Sequence, residues 1–302
     1  VNPTTVSNIT AELDLSKTLF LVSSKSGTTV EPLTLEAHFR AVMPNTVGSS
    51  MNRKNFVALT DPGTPLADRA RAGEFGTWVS TPVDVGGRFS ALSTFGMMPA
   101  AAIGINIRAF AESAVRMAHR CQVDSTENPG LALAAFLASN ALGGRDKVTL
   151  ITSDEYSVFG MWVDQLLAES TGKNGKGLIP ITGEPVLTLD DFASDRQFVV
   201  LKSKNDDKRV NHTIFTLRNS DHPVFVIEPP TDDIHEISGE FFRWQFATTA
   251  ASSLMDIYPF DQPDVESAKL KSRELISDPS VAIKGISLDA ALDQIKSESK
   301  LS

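Results

Sequence analysis

Short apolar runs alternate with longer amphipathic stretches along this chain of 302 residues. The apolar runs predict strands at Leu19–Ser23, Phe56–Thr60, Val148–Thr152, Phe198–Leu201 and Val224–Ile227. Apolar positions at helical spacing predict helices at Leu33–Met43, Thr64–Ala72, Met98–Arg120, Gly130–Leu142, Val158–Ser170, Gly239–Met255 and Val265–Ile276, with a last amphipathic helix from about Leu288. Strands that alternate with helices predict βαβ units, and therefore an α/β fold with mostly parallel sheets.

The alternation starts again in the middle of the chain. The segment Gln122–Gly130 is polar and rich in turn-forming residues, and a new predicted strand begins shortly after the helix that follows it. This restart predicts two α/β domains, the first at residues 1–125 and the second at 126–302.

Composition narrows the classes of protein that remain. A net charge of -9 argues against a nucleic-acid-binding protein, which normally has a basic face. The single cysteine, Cys121, excludes an intramolecular disulfide and suits the reducing cytoplasm. The uncharged stretch Phe89–Ile107 contains several polar residues and a proline, so it predicts a buried helix preceded by a loop and not a membrane span.

A hydroxyl-rich loop, Ser24-Lys25-Ser26-Gly27-Thr28-Thr29, follows the first predicted strand and precedes a predicted helix. Hydroxyls and backbone N–H groups at the N-terminus of a helix form a site suited to an anion, most often a phosphate. A simple helix-capping turn is the alternative.

Three further groups are candidates for chemistry. Gly87 lets the backbone approach a ligand closely, and the Arg88 guanidinium could face negative charge that develops on an oxygen atom of that ligand. The alternative is a tight turn with a solvated arginine. Gln165 and Glu169 share one helix face, so Glu169 could be a general base or an ordinary exposed carboxylate. Lys269 follows an Asp/Pro turn and is either directed into a cleft or an ordinary surface lysine. The five histidines show no metal-ligand spacing, so we expect no metal.

Together, in this order, these groups resemble the phosphoglucose isomerases. The matching segments are Ser-Lys-Ser-Gly-Thr-Thr, Val-Gly-Gly-Arg-Phe-Ser, Gln-x-x-x-Glu-Ser-x-Gly-Lys and Phe-Asp-Gln-Pro-x-Val-Glu-x-x-Lys, spread from about Ser16 to Lys269. With the segments Phe241–Thr248 and Asp61–Leu66, the sequence is most similar to the isomerase half of bacterial transaldolase/phosphoglucose isomerase fusions. The resemblance implies two sugar-isomerase (SIS) domains, each an α/β/α sandwich with a parallel sheet.

The resemblance also implies a reaction and roles for single residues. The reaction interconverts glucose 6-phosphate and fructose 6-phosphate without metal or organic cofactor, in glycolysis and gluconeogenesis. Glu169 would transfer a proton between C1 and C2 through a cis-enediol, and Arg88 would stabilise the enediolate. The remaining implied roles are phosphate binding by the hydroxyls of Ser24, Ser26 and Thr29 and the backbone N–H groups of Lys25 and Ser26, sugar contacts from Gly87 and Gln165, and assistance in ring opening from Lys269.

The chain also departs from the family pattern. The first strand and its Gly-x-Gly-Gly-Ser turn have no match, so we expect a first domain that lacks this N-terminal part. The ring-opening histidine of many members also has no clear match, which leaves His235 and Glu240 as candidates, and Asp264 stands where the family usually has glycine.

The leading hypothesis is therefore a hexose 6-phosphate isomerase or a fragment of one. A non-catalytic SIS module that binds sugar phosphates as a sensor is the alternative, and a stable chain that lacks essential contacts is a third. The resemblance further implies a homodimer and a possible fused or associated transaldolase. We expect no nucleic-acid or membrane partner.

Overall fold

The computed structural model describes residues 2–43, 53–184, 192–204, 208–231, 233–277, 285 and 287–298. Two compact units divide the chain, one spanning Val1–Phe260 and the other Asp261–Ser302. The boundary that the sequence predicts near residue 125 falls inside the first unit, between its two sheets, and the division into two domains there stays a prediction.

The first unit contains two parallel sheets. The strands are β1 (Phe20–Ser23), β2 (Phe56–Thr60), β3 (Thr77–Ser80), β4 (Lys147–Thr152), β5 (Ile179–Thr182), β6 (Arg196–Leu201) and β7 (Val224–Ile227). The first sheet has the order β1-β2-β3 and the second the order β5-β4-β6-β7. All pairs are parallel, which confirms the predicted α/β class.

Helices connect and cover the strands. Those of the first unit are α1 (Pro3–Glu12), α2 (Val30–Val42), α3 (Pro65–Arg71), α4 (Thr94–Ala102), α5 (Ile107–Arg120), α6 (Pro129–Leu142), α7 (Phe159–Thr171), α8 (Lys208–Arg218) and α9 (Ile237–Leu254). The second unit contains α10 (Pro263–Ser277) and α11 (Leu288–Glu298).

The first sheet is built around β2, in which every residue is buried. Phe56 and Ala58 of this strand pack with Val22 of β1 and Leu66 of α3. Phe39 of α2 joins the same cluster. This packing leaves the carboxyl ends of the three parallel strands at one edge of the sheet.

The second sheet has helices on both faces. Leu150, Val199 and Leu201 pack with residues of α6, α7 and α9 on one side. Val200 packs with Val210 and other residues of α8 on the opposite side. Because alternate residues of a strand point to opposite faces, the apolar run Phe198–Leu201 within β6 indicates burial on both sides of the sheet.

Two elements differ from the sequence prediction. The predicted helix Met98–Arg120 is two helices, because Gly104 adopts φ +88° and Asn106 starts α5 by accepting a hydrogen bond from the Ala109 N–H. The first of the two, α4, was expected to be buried, but none of its residues is. Among the described residues, no helix is long and apolar enough to cross a membrane.

Candidate functional site

The loop Ser24–Thr29 lies at the carboxyl edge of the first sheet and contacts the segments that follow β2 and β3. The Lys25 Nζ lies 2.5 Å from the Asp61 Oδ2, directly after β2. It also donates to the carbonyl oxygens of Pro82 at 3.3 Å and Val83 at 3.0 Å, after β3. The segment that leads to Arg88 is therefore fixed to this loop through Lys25.

The loop itself closes around Gly27. Its φ of +66° belongs to the left-handed region, and its N–H donates to the Ser24 carbonyl at 3.1 Å. Ser24 is buried and donates through its hydroxyl to the Thr29 Oγ1 at 2.9 Å. The backbone of the loop is therefore fixed by its own glycine and serine.

The exposed hydroxyls of this loop lie at the N-terminus of α2. The Ser26 and Thr28 hydroxyls are 2.9 Å apart, and the side chain of Thr29, the N-cap residue, makes no capping hydrogen bond. Two hydroxyls of the loop accept from its backbone N–H groups, the Ser26 Oγ from Thr28 at 3.3 Å and the Ser24 Oγ from Thr29 at 3.4 Å. The hydroxyls thus support the turn that leads into α2, and phosphate binding at this loop stays a prediction.

Arg88 lies in a short 3₁₀ turn, Gly87–Leu92, and is 6% exposed. Its Nε donates to the Ser170 Oγ at 2.8 Å, and its Nη2 donates to the Pro259 carbonyl at 2.5 Å. Its Nη1 lies 3.3 Å from the Glu169 Oε2. The alternative of a solvated arginine is therefore wrong, because the guanidinium is buried and oriented from several sides.

Glu169 is the other half of this pair. It lies near the end of α7 with a side chain that is 30% exposed, and its Oε1 accepts a hydrogen bond from the Gln165 Nε2 at 3.1 Å. Gly87, directly before Arg88, has open space around the position of a Cβ. The structure thus brings Gly87, Arg88, Gln165 and Glu169 together, with one carboxylate open to solvent beside a fixed cation.

The backbone at Arg88 is held by two side chains that the sequence did not identify. The Trp162 Nε1 donates to the Arg88 carbonyl at 3.2 Å, and the Gln245 Nε2 donates to the Phe89 carbonyl at 3.0 Å. Gln245 lies within the family-like segment Phe241–Thr248, and Ser170 directly follows Glu169, so the motifs contained both without indicating their contacts. No sequence signal could identify the carbonyl of Pro259, since every residue has one.

The candidates for ring opening lie on other elements of the chain than the Arg88–Glu169 pair. Glu240 is 1% exposed and pairs with Arg243 at 3.2 Å. Burial raises the pKa of Glu240, against the opposing charges of Arg243 and Arg120. The His235 Nδ1 lies 2.5 Å from the Asp233 Oδ1. Lys269 lies on α10 of the second unit, and its side chain is outside the described residues.

In the described part of the chain, no group of three or more His, Cys, Asp and Glu side chains is arranged to hold a metal ion.

Comparisons of sequence show which known proteins this chain is similar to. Residues 1–179 match the family described as phosphoglucose isomerase. The chain is 29% identical to a glucose-6-phosphate isomerase of Heliobacterium modesticaldum, over 90% of this chain and 69% of that protein. It is 31% identical to a glucose-6-phosphate isomerase of Rubrobacter xylanophilus, over 59% of this chain and 42% of that protein.

Solved structures agree on the fold. A glucose-6-phosphate isomerase from Chlamydia trachomatis has a TM-score of 0.76 at 20% identity, covering 100% of this chain and 66% of that one. A tagatose-6-phosphate ketose/aldose isomerase from Escherichia coli has a TM-score of 0.56 at 15% identity, covering 85% of this chain and 74% of that one. These neighbours confirm the SIS-type α/β fold with parallel sheets.

Proposed function

The chain belongs to the phosphoglucose isomerase family, and we propose on that premise that it interconverts glucose 6-phosphate and fructose 6-phosphate. The observation that carries the proposal is the pair formed by Arg88 and Glu169, whose Nη1 and Oε2 atoms are 3.3 Å apart. A sensor needs only the phosphate loop, whereas an isomerase needs a base beside a cation. The pair therefore favours the isomerase over the sensor.

In the proposed reaction, Glu169 acts on the open-chain sugar. Its carboxylate takes the proton from C2 of the aldose, the C–H electron pair forms the C1–C2 double bond, and the carbonyl oxygen becomes the enediolate oxygen. The same carboxyl returns the proton to C1, after proton transfer between the two oxygens, and the ketose results. A general base in this position typically contributes about 10²- to 10⁴-fold to the rate.

Arg88 is proposed to stabilise the enediolate. Its guanidinium is held in place before the reaction by Ser170 and the Pro259 carbonyl, so little reorganisation is needed when negative charge develops on oxygen. Gly87 offers open space beside it for the sugar. Gln165, which donates to the Glu169 carboxylate, is proposed to orient the base and contact the sugar.

The phosphate is proposed to bind at the loop after β1. The hydroxyls of Ser26 and Thr29 and the backbone N–H groups of Lys25 and Ser26 would be its donors, while the buried Ser24 hydroxyl donates to the Thr29 Oγ1 and orients it. The exposed N-terminus of α2 supports this assignment, because the helix dipole favours an anion there. The Lys25 side chain is engaged by Asp61 and therefore supports the loop itself.

For ring opening we propose His235 or Glu240, and separately a role for Lys269, which the resemblance to the family implies. The side chain of His235 is 22% exposed, whereas the side chain of Glu240 is 1% exposed and paired with Arg243. Solvent access therefore favours His235. His235→Asn is expected to lower kcat for cyclic glucose 6-phosphate without abolishing binding of 6-phosphogluconate, and an unchanged kcat would favour Glu240 instead.

We also propose a homodimer and a cytoplasmic location. The exposed apolar residues Ile103, which follows α4, and Val115, on α5, support self-association. The single, buried cysteine Cys121 supports a reducing compartment. Association with a transaldolase is proposed from the family-like segments alone, and transaldolase activity that copurifies with the chain would test it.

Replacement of Glu169 tests the proposed function. Glu169→Gln removes the base but keeps a side chain of the same size, so kcat is expected to fall about 10²- to 10⁴-fold. Binding of 6-phosphogluconate, followed by calorimetry, is expected to change little because the phosphate loop is intact. Asp164→Asn, an exposed change on the same helix, is the matched control.

Two results would contradict the proposal. Isomerisation that persists in Glu169→Gln would exclude this residue as the base. A wild-type chain that binds 6-phosphogluconate but does not isomerise would favour the sensor.

A further inference from the structure

Lys173 is a buried lysine to which the proposed mechanism gives no role. It is 7% exposed and lies in the turn that follows α7, four residues after Glu169. Its Nζ donates a hydrogen bond to the Tyr258 carbonyl. Burying an ammonium costs free energy unless strong hydrogen-bond acceptors surround it. The burial of Lys173 therefore indicates that its contacts with acceptors matter for the local structure.

The segment that Lys173 contacts also carries an acceptor of the catalytic site. Pro259, the residue after Tyr258, accepts from the Arg88 Nη2 at 2.5 Å. The proline ring fixes φ, so the carbonyls of Tyr258 and Pro259 are connected by a backbone with little freedom. The ring of the next residue, Phe260, lies 5.3 Å from the ring of Phe89, between ring centroids.

We propose that Lys173 is a positioning residue for Arg88. By holding the Tyr258 carbonyl it fixes the adjacent Pro259 carbonyl, and that oxygen orients the guanidinium toward the Glu169 carboxylate. Lys173 acts through Arg88 and does not touch the substrate. The inference rests on the proposed function, because it assigns Lys173 a part in the same reaction.

The expected signature is a change in kcat more than in KM. Removing the ammonium leaves the Tyr258 carbonyl without this donor and frees the segment that orients Arg88. A displacement of about 1 Å at a catalytic group can reduce the rate about 10²-fold. The phosphate loop is held separately, by Lys25 and Asp61, so substrate binding depends much less on Lys173.

Lys173→Met tests this inference, since methionine keeps most of the apolar stem and removes the ammonium. We expect kcat to fall about 10- to 100-fold with KM within about 3-fold of wild type. The control is Lys176→Met, which removes a lysine of the same turn that donates to the Met255 carbonyl at 3.2 Å. Its kcat is expected to stay within about 2-fold of wild type.

A double-mutant cycle separates positioning from general stabilisation. If Lys173 acts through Arg88, then adding Lys173→Met to Arg88→Ala lowers kcat by less than about 2-fold more. Fully additive losses in kcat would overturn the inference. An unchanged kcat in the single variant Lys173→Met would also overturn it.

A second measurement does not depend on activity. The Arg88 Nε–H donates to Ser170 in a buried site, so its NMR signal should exchange slowly with solvent. Lys173→Met is expected to accelerate this exchange at least about 10-fold, and Lys176→Met is not. Equal exchange in wild type and Lys173→Met would overturn the inference.

These readouts keep the two proposals apart. Absence of isomerisation in the wild type counts against the proposed function, whereas wild-type activity with unaffected Lys173 variants counts against the inference alone. Lys173→Leu, which also lacks a donor for the Tyr258 carbonyl, replaces Lys173→Met in all three measurements if the methionine variant does not fold.

Discussion

At the scale of single residues, Gly27 limits the substitutions that the proposed phosphate-binding loop, Ser24–Thr29, tolerates. Its φ is +66°, and a Cβ there would lie 2.9 Å from the Leu66 backbone nitrogen and 2.9 Å from the Thr64 Cβ. Gly63 also has a positive φ, +78°, but open space around it. The two glycines therefore separate the cost of the backbone conformation from the cost of a steric contact.

We predict that Gly27→Ala damages substrate binding and that Gly63→Ala does not. Both variants should lose about 1–2 kcal/mol of stability to the left-handed backbone, but only Gly27→Ala displaces the loop. KM for glucose 6-phosphate is expected to rise about 10-fold in Gly27→Ala and to stay near wild type in Gly63→Ala. Similar KM values in both variants would show that the loop accommodates a Cβ.

The site residues also show where sequence reasoning ends. The hydroxyls of the Ser24–Thr29 loop and the Gln165–Glu169 spacing are local patterns, and the sequence identified them. The burial of Arg88 was not predictable, because its partners Ser170 and Pro259 are 82 and 171 positions away. Long-range contacts of this kind leave no local pattern.

At the scale of elements, α2 and α3 are joined by a buried carboxylate. Glu36 of α2 is 4% exposed and accepts from the Arg69 Nη2 at 2.8 Å and the Arg40 Nε at 2.6 Å. Burial alone would raise the pKa of Glu36, but hydrogen bonds from Arg69 and Arg40 outweigh it and hold the pKa below its usual value. The carboxylate is thus stabilised in its charged form when the chain is folded.

This lowered pKa predicts the direction of a pH effect. The stabilisation is fully present above the pKa of the unfolded chain, about 4.3, and is lost as pH falls through the lower pKa of the folded state. Glu36→Gln is expected to lower the free energy of unfolding by roughly 3 kcal/mol at pH 7, measured by urea denaturation. The difference from wild type should shrink below about pH 4.

The control for this prediction is Glu155→Gln, a change at an exposed carboxylate. Its unfolding free energy should follow the wild type at every pH. A Glu36→Gln variant with a constant difference from wild type between pH 7 and pH 3 would show that charge at this position is not the cause.

The pattern of elements was predictable where periodicity was strong. Strands β2 and β7 have the predicted bounds, α6 differs from its prediction by one residue at its start, and α7 differs by one residue at each end. Strands β3 and β5 were missed, because β3 is half exposed and β5 contains Pro180, which suits an edge strand and weakens the pattern. Helix α8 was missed because its sequence is mostly polar.

At the scale of the whole molecule, exposed apolar residues on and near α4 and α5 support self-association. None of the residues of α4 is buried, although its sequence is almost entirely apolar. Ile103 is 79% exposed and Val115 of α5 is 52% exposed. Exposed apolar side chains of this kind support a protein–protein interface, and a second copy of the chain is the partner that we propose.

We predict that Val115→Glu shifts the proposed dimer to a monomer. A charge in an apolar interface is left without a partner, so dissociation is expected to increase at least about 10-fold. Leu142→Glu, at an exposed apolar position on α6, is the control and should leave the mass unchanged. Light scattering measures both, and a monomeric wild type would contradict the proposal.

Deuterium exchange at the sugar tests the central claim, that Glu169 moves a proton between two carbons beside Arg88. The wild-type chain is incubated with glucose 6-phosphate in D₂O, and NMR follows deuterium at C2 of the aldose and C1 of the ketose. We predict incorporation at both carbons in the wild type and in Asp164→Asn, and its loss in Glu169→Gln. Isomerisation with exchange in Glu169→Gln, or binding without any exchange in the wild type, would contradict the account.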